Sequence, residues 1–220
     1  MITVFGLGFV GLTTALGFAH YGYKVYGVDV DQGKKEILRS GKIPFLEPHL
    51  EDELNRAYQE NLFEITDDIK KAVLNSEFIF YCVGTPYGSN GEADLTYLYQ
   101  AIDTTIENMD GRKKLLIIKS TIPPTTIESK LLPYLIRKNI FNGRDVDVVN
   151  NPEFLREGYC WEDFVHADRI VVGCADSVTA DRMEQLYSPF QIPFYGVSYN
   201  TAEFIKYLSN KCYYISTYYK

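Results

Sequence analysis

The chain opens with a β-branched and aromatic run at residues 2–5, breaks at glycines, and resumes at 12–21 with apolar residues at helical spacing. This pattern predicts strand, turn and helix in that order. Residues 24–28 repeat the strand pattern. A polar helix over about 32–39 follows and is closed by Gly41, a residue suited to the left-handed backbone that ends helices. The stretch 42–48 carries two prolines and reads as a loop before another polar helix. Further strand patterns lie at 63–66, 78–83, 115–119, 146–149 and 170–172, separated by helical stretches near 67–74, 94–109 and 125–138. The run at 78–83, Phe-Ile-Phe-Tyr-Cys-Val, is apolar throughout, as a strand covered on both faces requires.

Strands alternating with helices predict an α/β, doubly wound, mainly parallel sheet with helices on both faces. From about residue 200, Phe204, Leu208, Cys212 and Ile215 form one apolar stripe of a long C-terminal helix. No cap signal follows Tyr218, which leads us to expect a helix cut in mid-run. The expected division is a domain over 1–198 and the start of a further helix over 199–220.

Composition narrows the functional classes. An apolar content of 46% supplies a real core, and 18 Tyr and 13 Phe predict that large rings build much of it. The net charge is −7, and no basic run is longer than Arg112-Lys113-Lys114, which argues against nucleic acid or an anionic membrane as partner. Any anionic ligand must be held locally. The cysteines at 82, 160, 174 and 212 form no C-x-x-C pair, and the three histidines show no metal-ligand spacing. No basic leader precedes the first strand, and no run approaches the ~18 apolar residues of a membrane span. Reduced thiols in a cytoplasmic protein without metal are the expectation.

Between the first strand and the first helix stands Gly6-Leu7-Gly8-Phe9-Val10-Gly11, with Asp29 at the end of the second strand. Glycines at this spacing allow a tight turn and close backbone approach, so that a pyrophosphate can rest on the helix N-terminus, where free N–H groups and the dipole favour negative charge. The carboxylate at 29 then accepts hydrogen bonds from a ribose. Its charge would repel a 2′-phosphate, so the cofactor expected is NAD. Lys34 and Lys35 lie nearby and could blunt that preference, although lysines opening a helix are commonly solvated surface. Asp31 reads as the cap of the second helix.

Several stretches together resemble the UDP-glucose/GDP-mannose dehydrogenase family. They are the glycine loop with Val28-Asp29, Gly41-Lys-Ile-Pro-Phe-Leu-Glu-Pro48, Val83-Gly-Thr-Pro86, Lys119-Ser-Thr-Ile-Pro-Pro124, Asn151-Pro-Glu-Phe-Leu-Arg-Glu-Gly158, and Ala202-Glu-Phe-Ile-Lys206 with Asn210. The resemblance covers nearly the whole chain. It implies a Rossmann-type NAD domain and oxidation of the C6 alcohol of a nucleotide sugar to a carboxylate in two NAD-dependent steps, through a species held on a cysteine. UDP-glucose is the first expectation, since Asp168-Arg169-Ile170-Val171 looks more like the UDP-glucose branch.

Carried over by position, the resemblance assigns Gly6, Gly8, Phe9, Val10, Gly11, Asp29, Lys34, Thr85 and Thr121 to the cofactor. Glu153, Phe154, Leu155 and Arg156 go to the sugar, with Glu157 activating or positioning water for thioester hydrolysis. Lys206 and Asn210, four apart and so on one helix face, stabilise the developing oxyanion and contact substrate. Thr121, Glu157, Lys206 and Asn210 form the catalytic set. The bland alternatives are threonines satisfying turn backbone, a surface turn with Glu153 paired to Arg156, and a lysine and an amide on a solvated helix face.

The chain departs from the family pattern: no glycine-rich segment with the nucleophilic cysteine occurs in it, and Cys212 stands where the family tends to carry an aromatic residue. None of its four cysteines has that context. Cys82 and Cys212 read as core or interface, and Cys160 as a substitute nucleophile has little behind it. The expectation is an NAD-binding part inactive alone, lacking the UDP-sugar domain and joining a second subunit through the C-terminal helix. Two other readings stay open, an oxidoreductase of the 3-hydroxyacid dehydrogenase type and a non-catalytic NAD-binding module.

Overall fold

The structure is a computed structural model that describes residues 1–88 and 92–218, with the side chains of the last helix described through Ser209. Eight strands form one sheet: β1 (Ile2–Phe5), β2 (Val25–Val28), β3 (Phe63–Ile65), β4 (Phe78–Tyr81), β5 (Lys114–Ile118), β6 (Val146–Asn150), β7 (Ile170–Gly173) and β8 (Phe194–Val197). Their order is β3-β2-β1-β4-β5-β6-β7-β8. All pairings are parallel except β6 with β7, which meet antiparallel at Asn150 and Gly173. After β1 the chain winds outward to β2 and β3, then returns to lay β4 on the other side of β1. The crossovers leaving β1 and β4 therefore diverge, which opens a crevice at the carboxyl ends of these two strands.

The helices are α1 (Phe9–His20), α2 (Gln32–Arg39), α3 (Leu50–Gln59), α4 (Ile69–Asn75), α5 (Thr96–Glu107), α6 (Leu132–Arg137), α7 (Cys160–Val165), α8 (Ser177–Tyr187) and α9 (Tyr199–Tyr218). The strand period of two splits the core. Ile2, Val4, Phe80, Leu115 and Ile117 face α1, α3, α7 and α8, whereas Phe5, Ile79, Tyr81, Leu116 and Ile118 face α4, α5 and the helical stretch that ends in α6. Phe18 sits at the centre of the first core with the rings of Tyr23, Phe80, Phe164, Tyr187 and Phe190 at centroid distances of 5.1–6.1 Å. Much of the aromatic content is spent here, where tilted and edge-on contacts add about 0.5–1.5 kcal/mol per pair beyond burial. No helix among the described residues is long and apolar enough to cross a membrane.

Local signals explain the element ends. The Asp31 carboxylate accepts the Lys34 N–H and caps α2, and Gly41 (φ 79°) closes it, with Gly41 N–H on Leu38 O at 2.9 Å and Lys42 N–H on Ile37 O at 3.3 Å. Strand β4 ends at Tyr81, two residues before the apolar pattern does: the Cys82 N–H makes one more bond to β1, on Phe5 O at 2.8 Å, and Cys82 and Val83 then line the crevice. The stretch predicted as one helix over 125–138 is a π-helical turn at Ile127–Leu131 that passes into α6, whose early Pro133 carries no N–H to give. Elements α7, α8 and β8 had no distinct pattern. The first is six residues long, and β8 lies at the sheet edge half exposed.

Gly17 is where α1 meets α7: a Cβ there would stand 2.1 Å from the Phe164 ring. Gly17→Ala is expected to destabilise the fold by about 1–3 kcal/mol as the ring is forced from its rotamer. Urea unfolding measures this, and an unchanged midpoint would show that the two helices separate freely.

Candidate functional site

The glycine loop is built for close approach. Gly6 has φ 87°, and an added Cβ would lie 2.7 Å from the Cys82 carbonyl oxygen; one at Gly11 would lie 1.7 Å from the Gly6 carbonyl oxygen. At Gly8 an added Cβ would meet nothing, so this side of the turn faces open space. Gly8 caps α1 without a side-chain bond, and no acidic residue stands in the first turn. The N-terminal amides of a 12-residue helix are thus left to a ligand, and an anion suits them.

Gly6, Gly8, Asp29 and Lys34 line one cleft of about 320 Å³, together with Val30 and residues of α5 such as Tyr97 and Gln100. Asp29 is 8% exposed. Its Oδ2 accepts the Leu7 N–H at 2.7 Å and the Lys34 ammonium at 2.9 Å, and its Oδ1 accepts the Asp31 N–H at 2.9 Å. Burial raises its pKa, but the hydrogen bonds from Lys34, Asp31 and Leu7 outweigh this and hold the carboxyl below its ordinary value. The carboxylate therefore ties β2 to the glycine loop as well as facing the cleft, and Oδ1 keeps room for another donor. Lys34 turns into the cleft. Lys35 is no surface lysine, being buried in an ion pair with Asp67.

Phe9 and Val10 open α1 beside the cleft, and the Phe9 ring lies 4.3 Å from that of Phe45. At the ends of β4 and β5, the Thr85 hydroxyl donates to Thr121 O at 2.8 Å, so the two threonine loops are joined. Ser120 donates to Val83 O at 2.6 Å and fastens the same loops from below. Among the described residues the Thr121 hydroxyl finds no hydrogen-bond partner.

The acidic loop and α9 meet. Lys206 Nζ lies 2.6 Å from Glu153 Oε1, with 6% and 13% of the two side chains exposed. Glu153 Oε2 accepts the Leu155 N–H at 2.6 Å. Glu153 thus pairs with Lys206 and not with Arg156, whose guanidinium pairs with Asp163 at 2.6 Å. The Phe154 ring lies under the Arg169 guanidinium at 4.8 Å and 5.8 Å from Lys206 Nζ. Glu157 is exposed, and its side chain has no partner among the described residues. The side chain of Asn210, like those of Cys212 and Ile215, lies outside the described ones.

Beneath this pair lies a group that the sequence reading missed. Lys119 is 5% exposed, and burial pushes its ammonium down to about 8, against the pull of Cys82 and Glu153. It donates to Asn151 Oδ1 at 3.2 Å, and that oxygen also accepts the Tyr187 hydroxyl at 2.6 Å. Asn151 Nδ2 donates to Val171 O at 3.0 Å, so the start of the acidic loop is pinned from β5, α8 and β7. The only signal was a lysine in an apolar strand end. Burial pushes the Cys82 thiol up to about 12 and raises those of Cys160 and Cys174 as well, with Glu47 adding to the rise at Cys160. A raised thiol carries little thiolate at neutral pH, which speaks against Cys160 as a nucleophile.

A parallel sheet reversing at β1, with an uncapped glycine turn and an acid at the end of β2, defines a dinucleotide-binding domain. Residues 1–191 match the UDP-glucose/GDP-mannose dehydrogenase family, NAD binding domain. UDP-glucose 6-dehydrogenase TuaD of Bacillus subtilis is 38% identical over 95% of this chain and 45% of its own length. The GDP-mannose dehydrogenase structure from Pseudomonas aeruginosa superposes with a TM-score of 0.92 at 33% identity, over 98% of this chain and 50% of that one. The UDP-glucose dehydrogenase of Pyrobaculum islandicum gives 0.88 at 36% identity, over 95% and 48%. The chain belongs to the UDP-glucose/GDP-mannose dehydrogenase family and carries its NAD-binding domain. It spans about half the length of the curated relatives it matches.

The lowered pKa of Lys119 makes the stability of the fold depend on pH. An unfolded lysine titrates near 10.4, so between pH 8 and that value the unfolded chain holds more protons and stability rises with pH. The cost of burying Lys119 is full below pH 8 and fades towards pH 10. Whatever its net effect, Lys119→Met should be more favourable at pH 7 than at pH 10 by roughly 2 kcal/mol. Urea unfolding at the two pH values tests this, and equal increments would mean that the group does not titrate low.

Proposed function

We propose that this chain is the NAD-binding part of a nucleotide-sugar dehydrogenase that oxidises the C6 alcohol of UDP-glucose to UDP-glucuronate. The observation carrying this reading is that a glycine-lined cleft and an enclosed Lys206–Glu153 pair both lie beyond the carboxyl ends of the parallel strands. Bound NAD would accept the hydride in each of two oxidations. The cleft fits it: the amides at residues 8–11 are free for a diphosphate, and Asp29 Oδ1 and Lys34 stand where a ribose would follow. The Asp29 charge disfavours a 2′-phosphate.

In this reading Thr85 and Thr121 border the nicotinamide. Phe154, Leu155 and Arg156 contact the sugar, while Glu153 holds the Lys206 ammonium in place. Lys206, with Asn210 four residues on, stabilises negative charge on the C6 oxygen, a role worth on the order of 3 kcal/mol per donor. Glu157, exposed and without a partner among the described residues, is left to position water. The choice of UDP-glucose rests on the names of the relatives and on the stretch 168–171. We further propose domain limits of 1–198 and 199–220. Two copies would join through α9, whose Phe204, Tyr207 and Leu208 are exposed. Free thiols at Cys82, Cys160 and Cys174 suit a reducing cytoplasm.

Calorimetry should show NAD bound and NADP bound more weakly, with Asp29→Ala weakening NAD by about tenfold or more, equal to 1.4 kcal/mol; equal affinities for the two dinucleotides would remove the role given to Asp29. Assayed as the natural protein, turnover should yield two NADH per UDP-glucuronate formed. A single NADH per sugar, or turnover of GDP-mannose but not UDP-glucose, would overturn the assigned reaction.

A further inference from the structure

The stretch between Gly41 and His49 is mostly exposed, Leu46 at 91%, yet Glu47 within it is 4% exposed. Its carboxylate reaches across to the acidic loop: Oε1 accepts the Gly158 N–H at 2.5 Å and Oε2 accepts the Cys160 N–H at 3.0 Å. Gly158 stands in the left-handed region (φ 84°) at the turn that carries Glu157, and Cys160 begins α7. Two residues before Glu47, the Phe45 ring packs on Phe9, the first residue of α1 and a member of the glycine turn. Both ends of the stretch are anchored. Gly41 packs on Asn55, whose Nδ2 donates to Gly41 O at 3.0 Å, and His49 Nε2 lies 3.4 Å from Glu162 Oε1.

We infer that Glu47 is a positioning residue that couples occupancy of the dinucleotide cleft to the geometry of the acidic loop. A carboxylate enclosed with both oxygens on backbone amides has one register in which all its partners are met, and shifting it strands two buried donors. A ligand on the amides of residues 8–11 restrains Phe9. The ring contact passes this restraint to Phe45, and the two-residue step to Glu47 passes it to Gly158 and Cys160, on either side of which stand Glu157 and the first turn of α7. Linkage requires the effect to be mutual, so an ordered acidic loop also favours the occupied cleft. A residue that only stabilised α7 would have no reason to respond to the dinucleotide.

This inference rests on the cleft being the NAD site, and hydrogen exchange of individual amides in the protein, with and without saturating NAD, separates the two. NAD is expected to slow exchange over residues 7–12 and, by about fivefold or more, at Gly158 and Cys160. Glu47→Gln should speed exchange at Gly158 and Cys160 without NAD and abolish the NAD-dependent slowing there, while residues 7–12 remain protected by NAD. Phe45→Leu leaves Glu47 in place, so it should keep the basal protection of the two amides and lose the NAD-dependent part. Protection at 7–12 with no change at Gly158 and Cys160 in the parent protein would overturn the coupling and leave the cleft intact as the NAD site. The coupling would equally be overturned if both variants kept the full NAD-dependent slowing. Absence of NAD protection over 7–12 would remove the cofactor reading and the coupling together.

Discussion

The turn from β1 into α1 has to run against the end of β4 at backbone contact distance, and the rest of the structure is arranged around that approach. A side-chain carbon at position 6 or 11 would overlap a carbonyl oxygen, so the turn closes only on glycine. Closing it aims the uncapped amides of α1 into the crevice between β1 and β4. It also brings the Leu7 N–H to the Asp29 carboxylate, which locks the tip of β2 to the turn. A charge that on its own would be costly to bury is held here by three donors, one of them the ammonium of Lys34.

A second layer of buried charge lies where the two threonine loops, the acidic loop and α9 converge. Glu153 and Lys206 are paired with little solvent between them, and Lys119 lies beneath with its proton weakly held. Breaking such a pair is costly because the remaining charge has nowhere to go, so the pair fixes where α9 can sit relative to the domain. Glu203, one turn before Lys206, acts in the same direction: it is 1% exposed, and its Oε1 accepts the Ile127 N–H at 2.9 Å. The helix thus presents Ala202, Glu203 and Lys206 inward, and its apolar residues Phe204 and Leu208 outward.

Four enclosed carboxylates share one device. Glu47, Asp29, Glu203 and Glu153 each accept a backbone N–H from a segment that must hold a set shape, and each of those segments carries or borders a residue of the candidate site. Loops positioned by enclosed carboxylates are stiffer than loops positioned by packing alone, since a small displacement costs a hydrogen bond and exposes a charge to an apolar surround.

Periodicity and turn chemistry alone determined the alternation of strands and helices, the glycine turn with its acid at 29, and the caps at Asp31 and Gly41, because each depends on residues adjacent in the chain. The family motifs also marked Glu153 and Lys206 without showing that they touch. The partners of those residues were decided only by the tertiary structure. That Glu153 pairs with Lys206 instead of Arg156, that Lys35 is buried on Asp67, that Lys119 sits under the site and that Glu47 holds Gly158 all join segments tens of residues apart, over 100 in the last case. The same holds for α7, α8 and β8, whose patterns are short or half exposed and acquire their form from the sheet and the Phe18 ring cluster they cover. Local propensity can place an element, but which buried charge meets which donor is set by the packing of the whole domain.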